Sequence, residues 1–378
     1  MKTKTLTKFA TVAILVAGML TTACRNEDTV GDFTPENENI TKTNVVELLK
    51  EIYIDDALAQ EVHSYVTNAL ASGHDEEIRF TKILSDQTRN NGQSIMAERL
   101  KQLVTEHVAT RNNNDGFDTD MLKTLANSDF IIYWPYSDDW DGCEMPTLVA
   151  APENEDAEEA YGIKIVQEGD VISYEKVLVN EEYTMQHPVW VVNKKKEETG
   201  VVYAPTSYMD DYGPVRQSVK RSAGNPLYVW KMTGMRVTSH HDGVFYGGDE
   251  YDIQVVYPKL PGYAEITAKF RVEFSRKEIR KGRWKFPNIL LNTNWREEQV
   301  TNALIILESD DGNPITIGAT VTAKLDDGTQ VGTTTSITIT DDDDIICVQP
   351  IDRDYALQNE GYYFDGGSVI VAAPIIVE

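Results

Sequence analysis

The chain has 378 residues and carries 61 acidic against 35 basic side chains, a formal net charge of −26 at pH 7. Such a surface repels nucleic acid and anionic lipid headgroups, which excludes both as default partners. No Cys or His spacing typical of a zinc site occurs. Besides Cys24 the chain has Cys143 and Cys347, and the sequence favours two free thiols while leaving a disulfide open.

Residues 1–23 have the pattern of a signal peptide. Lys2, Lys4 and Lys8 form a positive segment before an apolar stretch that runs from Phe9 to Leu20. This stretch is shorter than the ~20 apolar residues that span a bilayer. Small residues then lead to Cys24, where cleavage would leave a thiol for lipid attachment. This pattern resembles the lipobox of bacterial lipoproteins, although Thr21 stands where that box prefers leucine. Ordinary secretion after a small-residue cleavage site is the alternative.

Acidic residues follow the cysteine directly. Glu27 and Asp28 resemble the surface-export signal of Bacteroidota-type lipoproteins. The resemblance implies an outer-membrane protein that is lipid-anchored and faces the cell exterior. Its contact with the membrane is then the N-terminal lipid, and stable anchoring needs more than one acyl chain.

The sequence pattern of the mature chain changes along its length from one typical of helices to one typical of strands. Asn44 and Glu47 have capping-box spacing, and apolar residues at three- and four-residue intervals follow, which predicts helices. From residue 128, short runs rich in Val, Ile, Tyr and Thr predict antiparallel strands, with a hairpin turn at Asp327-Gly328. The predicted fold class is α+β, with a small N-terminal helical bundle, then a mainly antiparallel β region ending in a C2-like or immunoglobulin-like β-sandwich. The predicted divisions are a signal peptide (1–23), a lipid anchor and tether (24–43), a helical bundle (44–127), a β-rich middle region (128–206), a connector (207–226) and a C-terminal sandwich (227–378).

Acidic loops of the C-terminal region suggest calcium, the one cofactor that the sequence points to. If successive strands simply reverse, three acidic connections lie at one end of the sandwich, and calcium takes six to eight oxygen ligands. The basic segment 276–283 falls at the same end and could neutralise these acids without an ion, and most acidic loops are solvated turns. The candidate ligands are Asp249, Asp252, Asp310, Asp311, Asp341 and Asp343.

Aromatic residues cluster in the segment "IIYWPYSDDW". Trp134, Tyr136 and Trp140 lie beside carboxylates, and exposed rings of this kind stack on sugars, which predicts glycan binding. The alternative is that one face of this strand belongs to the core, as its alternation indicates.

Catalytic motifs such as HExxH, GxSxG and the P-loop are absent from the sequence. His240 and His241 are adjacent, and on an extended chain they would point to opposite faces, which favours loop surface over a metal site. The leading interpretation is a surface lipoprotein that acts as a binding or adhesion module for an extracellular glycan or protein. An extracellular hydrolase of polymeric substrate and a fimbrial-type structural subunit are the alternatives.

Overall fold

The computed structural model describes thirteen ranges of the chain. These are residues 40–52, 54–85, 94–110, 119–154, 157–168, 171–195, 201–204, 208–209, 227–260, 262–309, 314–340, 343–359 and 363–377. They have mixed α and β content, with most of the regular structure in antiparallel strands, as the α+β prediction expects.

Most of the helices lie in the N-terminal part of the described chain. The first begins at Lys42, where Thr41 and Asn44 bond to each other's backbone in a capping box, three residues before the start that the Asn44 and Glu47 pattern predicts. A 3₁₀ turn spans Ser137–Asp139. The helices are α1 (Lys42–Glu51), α2 (Asp56–Ala71), α3 (Phe80–Ser85), α4 (Ile95–Thr110), α5 (Thr119–Ala126), α6 (Glu181–Thr184), α7 (Arg276–Arg280) and α8 (Arg353–Gln358).

Strands make up most of the remainder. They are β1 (Glu77–Arg79), β2 (Phe130–Tyr133), β3 (Thr147–Ala150), β4 (Glu159–Glu168), β5 (Val171–Asn180), β6 (Val189–Lys194), β7 (Val201–Tyr203), β8 (Tyr208–Met209), β9 (Tyr228–Met232), β10 (Gly234–Val237), β11 (Asp249–Leu260), β12 (Tyr263–Ile266), β13 (Lys269–Phe274), β14 (Trp284–Lys285), β15 (Ile289–Asn292), β16 (Gln299–Glu308), β17 (Pro314–Lys324), β18 (Gln330–Thr340), β19 (Asp344–Asp352), β20 (Tyr363–Asp365), β21 (Val369–Ala372) and β22 (Ile375–Val377).

The first sheet has six strands in the order β1-β2-β6-β3-β4-β5. Its neighbours pair antiparallel except β3 and β6, which are parallel. Apolar side chains of α1 to α5 share one core with this sheet, so that Leu48 and Leu58 are buried together with Phe130 and Trp190. The amphipathic helices therefore bury their apolar faces against a sheet, and a separate helical bundle is not confirmed.

Three further sheets form the C-terminal part. An eight-stranded sheet runs β18-β17-β16-β11-β13-β7, with β12 beside β11 and β19 beside β16. One of its faces shares a core with a five-stranded sheet (β20-β21-β10-β14-β8) and a three-stranded sheet (β15-β9-β22). The central strand β16 is apolar on both faces, since Leu304 and Ile306 face that core while Ala303 and Ile305 pack beneath β17 and β18.

Three sequence features can be compared directly with the structure. The hairpin prediction is confirmed, because β17 and β18 pair over eleven residues around a turn that contains Gly328 at a φ of 86°. Cys143 is an exposed free thiol and Cys347 a buried one. Of the described helices, none combines the length and apolar character needed to cross a bilayer.

Candidate functional site

The strand ends that flank the acidic loops meet at one end of the eight-stranded sheet. Tyr251 in β11 lies opposite Glu308 in β16, and Glu308 lies opposite Asp344 in β19. On the other side of β11, Asp249 pairs with Phe274, the residue that ends β13 just before α7. The starts of β11 and β19 therefore adjoin the ends of β16 and β13, which is the common end that the strand-reversal argument expects.

The calcium prediction, however, gains no support from its described members. Both carboxylate oxygens of Asp252 accept hydrogen bonds from Arg271, at 2.8 and 2.9 Å, and one is 2.9 Å from Lys269. The carboxylate of Asp343 accepts bonds from the amide and hydroxyl of Thr340, at 2.9 and 2.6 Å, and so closes a turn. Among the described residues no group of three or more acidic, His or Cys side chains is arranged to hold a metal ion. The predicted residues Cys24, Glu27, Asp28, Asp310, Asp311 and Asp341 lie outside the described part of the chain.

Two of the three predicted sugar-stacking rings are buried, and the third is half-buried. Trp134 is 0% exposed and packs between the rings of Trp140 and Trp190, at centroid distances of 5.1 and 5.8 Å. Tyr136 is 3% exposed, and half-buried Trp140 donates its indole N–H to the carbonyl of Glu144 at 2.9 Å. Burial leaves neither Trp134 nor Tyr136 a free face, so the structure gives no support to glycan stacking on these two rings.

A polar cleft of about 1520 Å³ opens beside these elements, and five segments of the chain line it. They are the loop after β3, the start of α6, the loop between β10 and β11, helix α7 and the start of β19. One of these segments, the loop between β10 and β11, is anchored on the first sheet, because Val244 and Phe245 share a core with Ile131 and Val191. The lining carboxylates are Glu153, Glu158, Glu181, Glu182, Asp242 and Asp344.

Arg276 organises the floor of this cleft. It is buried, and its Nε and one terminal nitrogen lie 2.9 and 2.8 Å from the same oxygen of Glu181. Its other terminal nitrogen donates to the carbonyl of Asp242 at 3.0 Å. The second oxygen of Glu181 accepts from the hydroxyl of Tyr136, whose pKa is raised by burial and by this bond. The hydroxyl therefore stays protonated, and α6, α7 and the β10–β11 loop are held together by one ionic group.

Two histidines form the opposite end of the cleft. His241 places Nδ1 2.8 Å from Oδ2 of Asp344, and its backbone N–H donates to Oδ2 of Asp249 at 3.1 Å. His240 lies with Nδ1 3.5 Å from Oδ1 of Asp249. The hydroxyl of Tyr251 donates to the same Asp249 at 2.7 Å. His240 and His241 lie in a loop outside any strand, both residues line the cleft, and their Nδ1 atoms lie beside two different carboxylates.

A separate charged cluster is buried between the first sheet and the eight-stranded sheet. Lys195, at the end of β6, lies 2.8 Å from Glu77 of β1 and also contacts Glu250 of β11. Asp75 donates its backbone N–H to Glu273 of β13 at 2.8 Å. This clasp joins the two halves of the described fold, and we call it the Lys195 clasp.

Burial raises carboxyl pKa values in and near the clasp. The pKa of Glu250 is raised to about 8 and that of Asp75 to about 6, in both cases chiefly by burial. Glu76 has a pKa of about 8 because of burial and the neighbouring charge of Asp75, and it caps the 3₁₀ turn through Ser137. A hydrogen bond to Glu273 raises the pKa of His74. Nothing in the sequence segment "HDEE" distinguishes it from a solvated turn, since its partners lie far along the chain.

Comparisons with known proteins add no relative to this picture. No protein-family model, curated protein or solved structure matches the chain. The candidate site therefore rests on geometry alone, and the geometry is that of an acidic, polar cleft held by one buried arginine and edged by two histidines.

Proposed function

We propose that the protein is a lipid-anchored outer-membrane protein that faces the cell exterior and binds an extracellular glycan or protein ligand in the polar cleft. The anchor rests on the sequence pattern around Cys24 and on the acidic residues Glu27 and Asp28. The observation that carries the binding function is the convergence of polar side chains from five segments on one cleft of about 1520 Å³. A volume of this size suits part of a polymer or an extended peptide.

Catalysis is the second candidate, because carboxylates converge in the cleft as a glycoside hydrolase requires. Glu181 is already bound by Arg276 and Tyr136, which leaves it a structural role. Binding is therefore favoured over hydrolysis.

The finer predictions of architecture are proposals of the same kind. The core shared by the eight-stranded sheet and the two smaller sheets supports a C-terminal β-sandwich, of C2-like or immunoglobulin-like type. The core shared by α1 to α5 and the first sheet argues instead for a helix-on-sheet layer in place of a free bundle.

A binding screen tests the proposed function. The mature chain, residues 24–378, is probed against immobilised glycans and extracellular proteins, with and without calcium. Each ligand found is then tested on a double cleft variant, Glu182→Gln with Asp344→Asn, and on a matched control, Asp326→Asn with Asp354→Asn, whose side chains are exposed away from the cleft. Loss of binding in the cleft variant alone supports the proposal, and equal binding by both variants contradicts it.

A further inference from the structure

The histidine end of the cleft is lined by His240, His241 and Asp344, with buried Asp249 behind the two histidines, and no described lysine or arginine balances the charge of its two carboxylates. Asp249 is 0% exposed, and its Oδ1 accepts no hydrogen bond from any described residue. No described lysine or arginine lies within ion-pair distance of Asp249 or Asp344, whose partners are the two histidines. A buried carboxylate with an unsatisfied oxygen is costly, so this arrangement calls for a cation.

The cations already in the cleft are committed elsewhere. Arg276 is bound to Glu181 and to the carbonyl of Asp242. Arg280 lies over the ring of Tyr136, 5.0 Å from its centroid. With two guanidinium groups against six carboxylates, the lining keeps an excess of four negative charges when the histidines are neutral. Because the field of a buried charge such as Asp249 is screened little by salt, the excess acts on any ligand that enters.

The acceptors at this end also specify the form of the cation. His241 is oriented by Asp344 through Nδ1, and its buried Nε2 has no hydrogen-bond partner within the described part of the chain. A divalent metal fits poorly, since no three ligating side chains converge among the described residues. A primary ammonium fits better, because it brings one positive charge and three N–H donors without demanding a fixed coordination geometry.

We infer that the histidine end of the cleft is a subsite for a primary ammonium group of the ligand, with Asp344 as its direct partner and buried Asp249 as the charge behind it. This inference rests on the proposed binding function of the cleft. Two ligand sources carry this chemistry, the lysine side chains of a protein and the free amines of an amino-sugar polymer.

Paired probes that differ only in acetylation test the subsite. Calorimetric titrations of the full chain in detergent, at 150 mM salt, use a glucosamine tetramer and its N-acetylated form, and a pentalysine peptide and its side-chain-acetylated form. We expect one-to-one binding of at least one ammonium-bearing probe, with at least about tenfold weaker binding of its acetylated form. Which probe binds distinguishes the amino-sugar source from the protein source.

Single-site variants separate the subsite from the general acidity of the chain. Asp344→Asn, at an exposed side chain, should weaken the ammonium probe about tenfold, whereas Asp326→Asn in the β17–β18 turn removes the same charge and should leave binding unchanged. Equal loss in both variants overturns the inference, since it would show unspecific attraction to a chain of net charge −26.

The remaining outcomes also decide the question. If an acetylated probe binds as tightly as its ammonium form, and if Asp344→Asn abolishes that binding, the ammonium subsite is overturned. The proposed binding function of the cleft then still holds. Binding of calcium at the same residues, displacing the probe, overturns it in favour of a metal site. No probe binding at all overturns it as well, and the binding screen with the double cleft variant then decides the proposed function separately.

Discussion

Arg276 holds Glu181 through two nitrogen atoms, at 2.9 and 2.8 Å, and this ion pair joins α7 to the first turn of α6. The two residues are far apart in the chain, and each belongs to a short helix of little stability alone. The stability of the cleft floor therefore depends on this ion pair and on the hydrogen bond that the Tyr136 hydroxyl donates to Glu181.

Arg276→Ala should destabilise the fold and loosen the cleft. Truncation leaves Glu181 without its cation, and it removes the Arg276 donor from the backbone carbonyls of Asp242 and Gly247. We expect the free energy of unfolding to fall by about 2 kcal/mol, which is less than for a fully buried pair because Glu181 is partly exposed. Urea denaturation measures the change. The control is Lys281→Ala at the exposed end of the same helix, which should shift stability by less than about 0.5 kcal/mol. Equal stability of the two variants would contradict the role given to Arg276.

Gly248→Ala should be severely destabilising. A Cβ at this position would lie 1.9 Å from the carbonyl oxygen of Phe274, at the place where β11 meets β13. Backbone cannot yield that far without breaking the pairing, so we expect a loss above about 3 kcal/mol or no soluble protein. Gly332→Ala in β18 is the matched control, since nothing lies within 4 Å of its added Cβ. Thermal melting compares the two, and a Gly248→Ala melting point near that of Gly332→Ala would show that the strands approach less closely.

The regular parts of the fold follow from local pattern, whereas the parts that build the site do not. Alternation and the Asp327-Gly328 step predict β17 and β18 because both act within a few residues. The capping box lies three residues before the position that the Asn44 and Glu47 pattern predicts. The reason is that the Thr41 hydroxyl accepts the backbone N–H of Asn44, while the Asn44 side chain accepts the backbone N–H of Thr41. Such errors are small, since every competing signal is local.

The site depends on contacts between residues that lie far apart in the chain, which no local sequence pattern predicts. Asp75 meets Glu273 across 198 positions of the chain, so the acidic run that contains it resembles a surface turn until the sheets are assembled. The sequence around Trp134 is likewise compatible with stacking on a sugar or with packing in the core, and the contact of its ring with Trp190 places it in the core. His241 likewise meets Asp344 across 103 positions of the chain, so this contact could not be predicted from the local sequence.

Stability should fall as pH rises from about 5 to about 8. Glu76 and Glu250 have pKa values of about 8, and Asp75 of about 6, all raised by burial. A carboxyl whose folded pKa is raised stabilises the fold fully below its unfolded pKa, and that contribution is lost as pH rises through the folded value. The raised pKa of His74 acts in the same direction. Melting temperature at constant ionic strength should drop by more than about 3 °C over this window.

The Lys195 clasp should account for much of that slope. Glu250→Gln is neutral at every pH and should flatten the dependence, while Glu265→Gln, at a partly exposed carboxylate on β12, should leave it unchanged between pH 5 and 8. A stability maximum near pH 8 in the unmodified protein would mean that these buried carboxyls are ionised without cost.

Cys24→Ala should abolish lipid attachment and move the protein from the membrane fraction to the soluble one. The chain offers a stringent control, because Cys143 is an exposed free thiol outside the lipobox pattern, whereas Cys347 is buried. Cys143→Ala should therefore keep both the membrane location and the incorporation of a palmitate probe. Labelling that persists in Cys24→Ala and disappears in Cys143→Ala would place the lipid on a surface thiol of the folded part, and the lipoprotein assignment would fail.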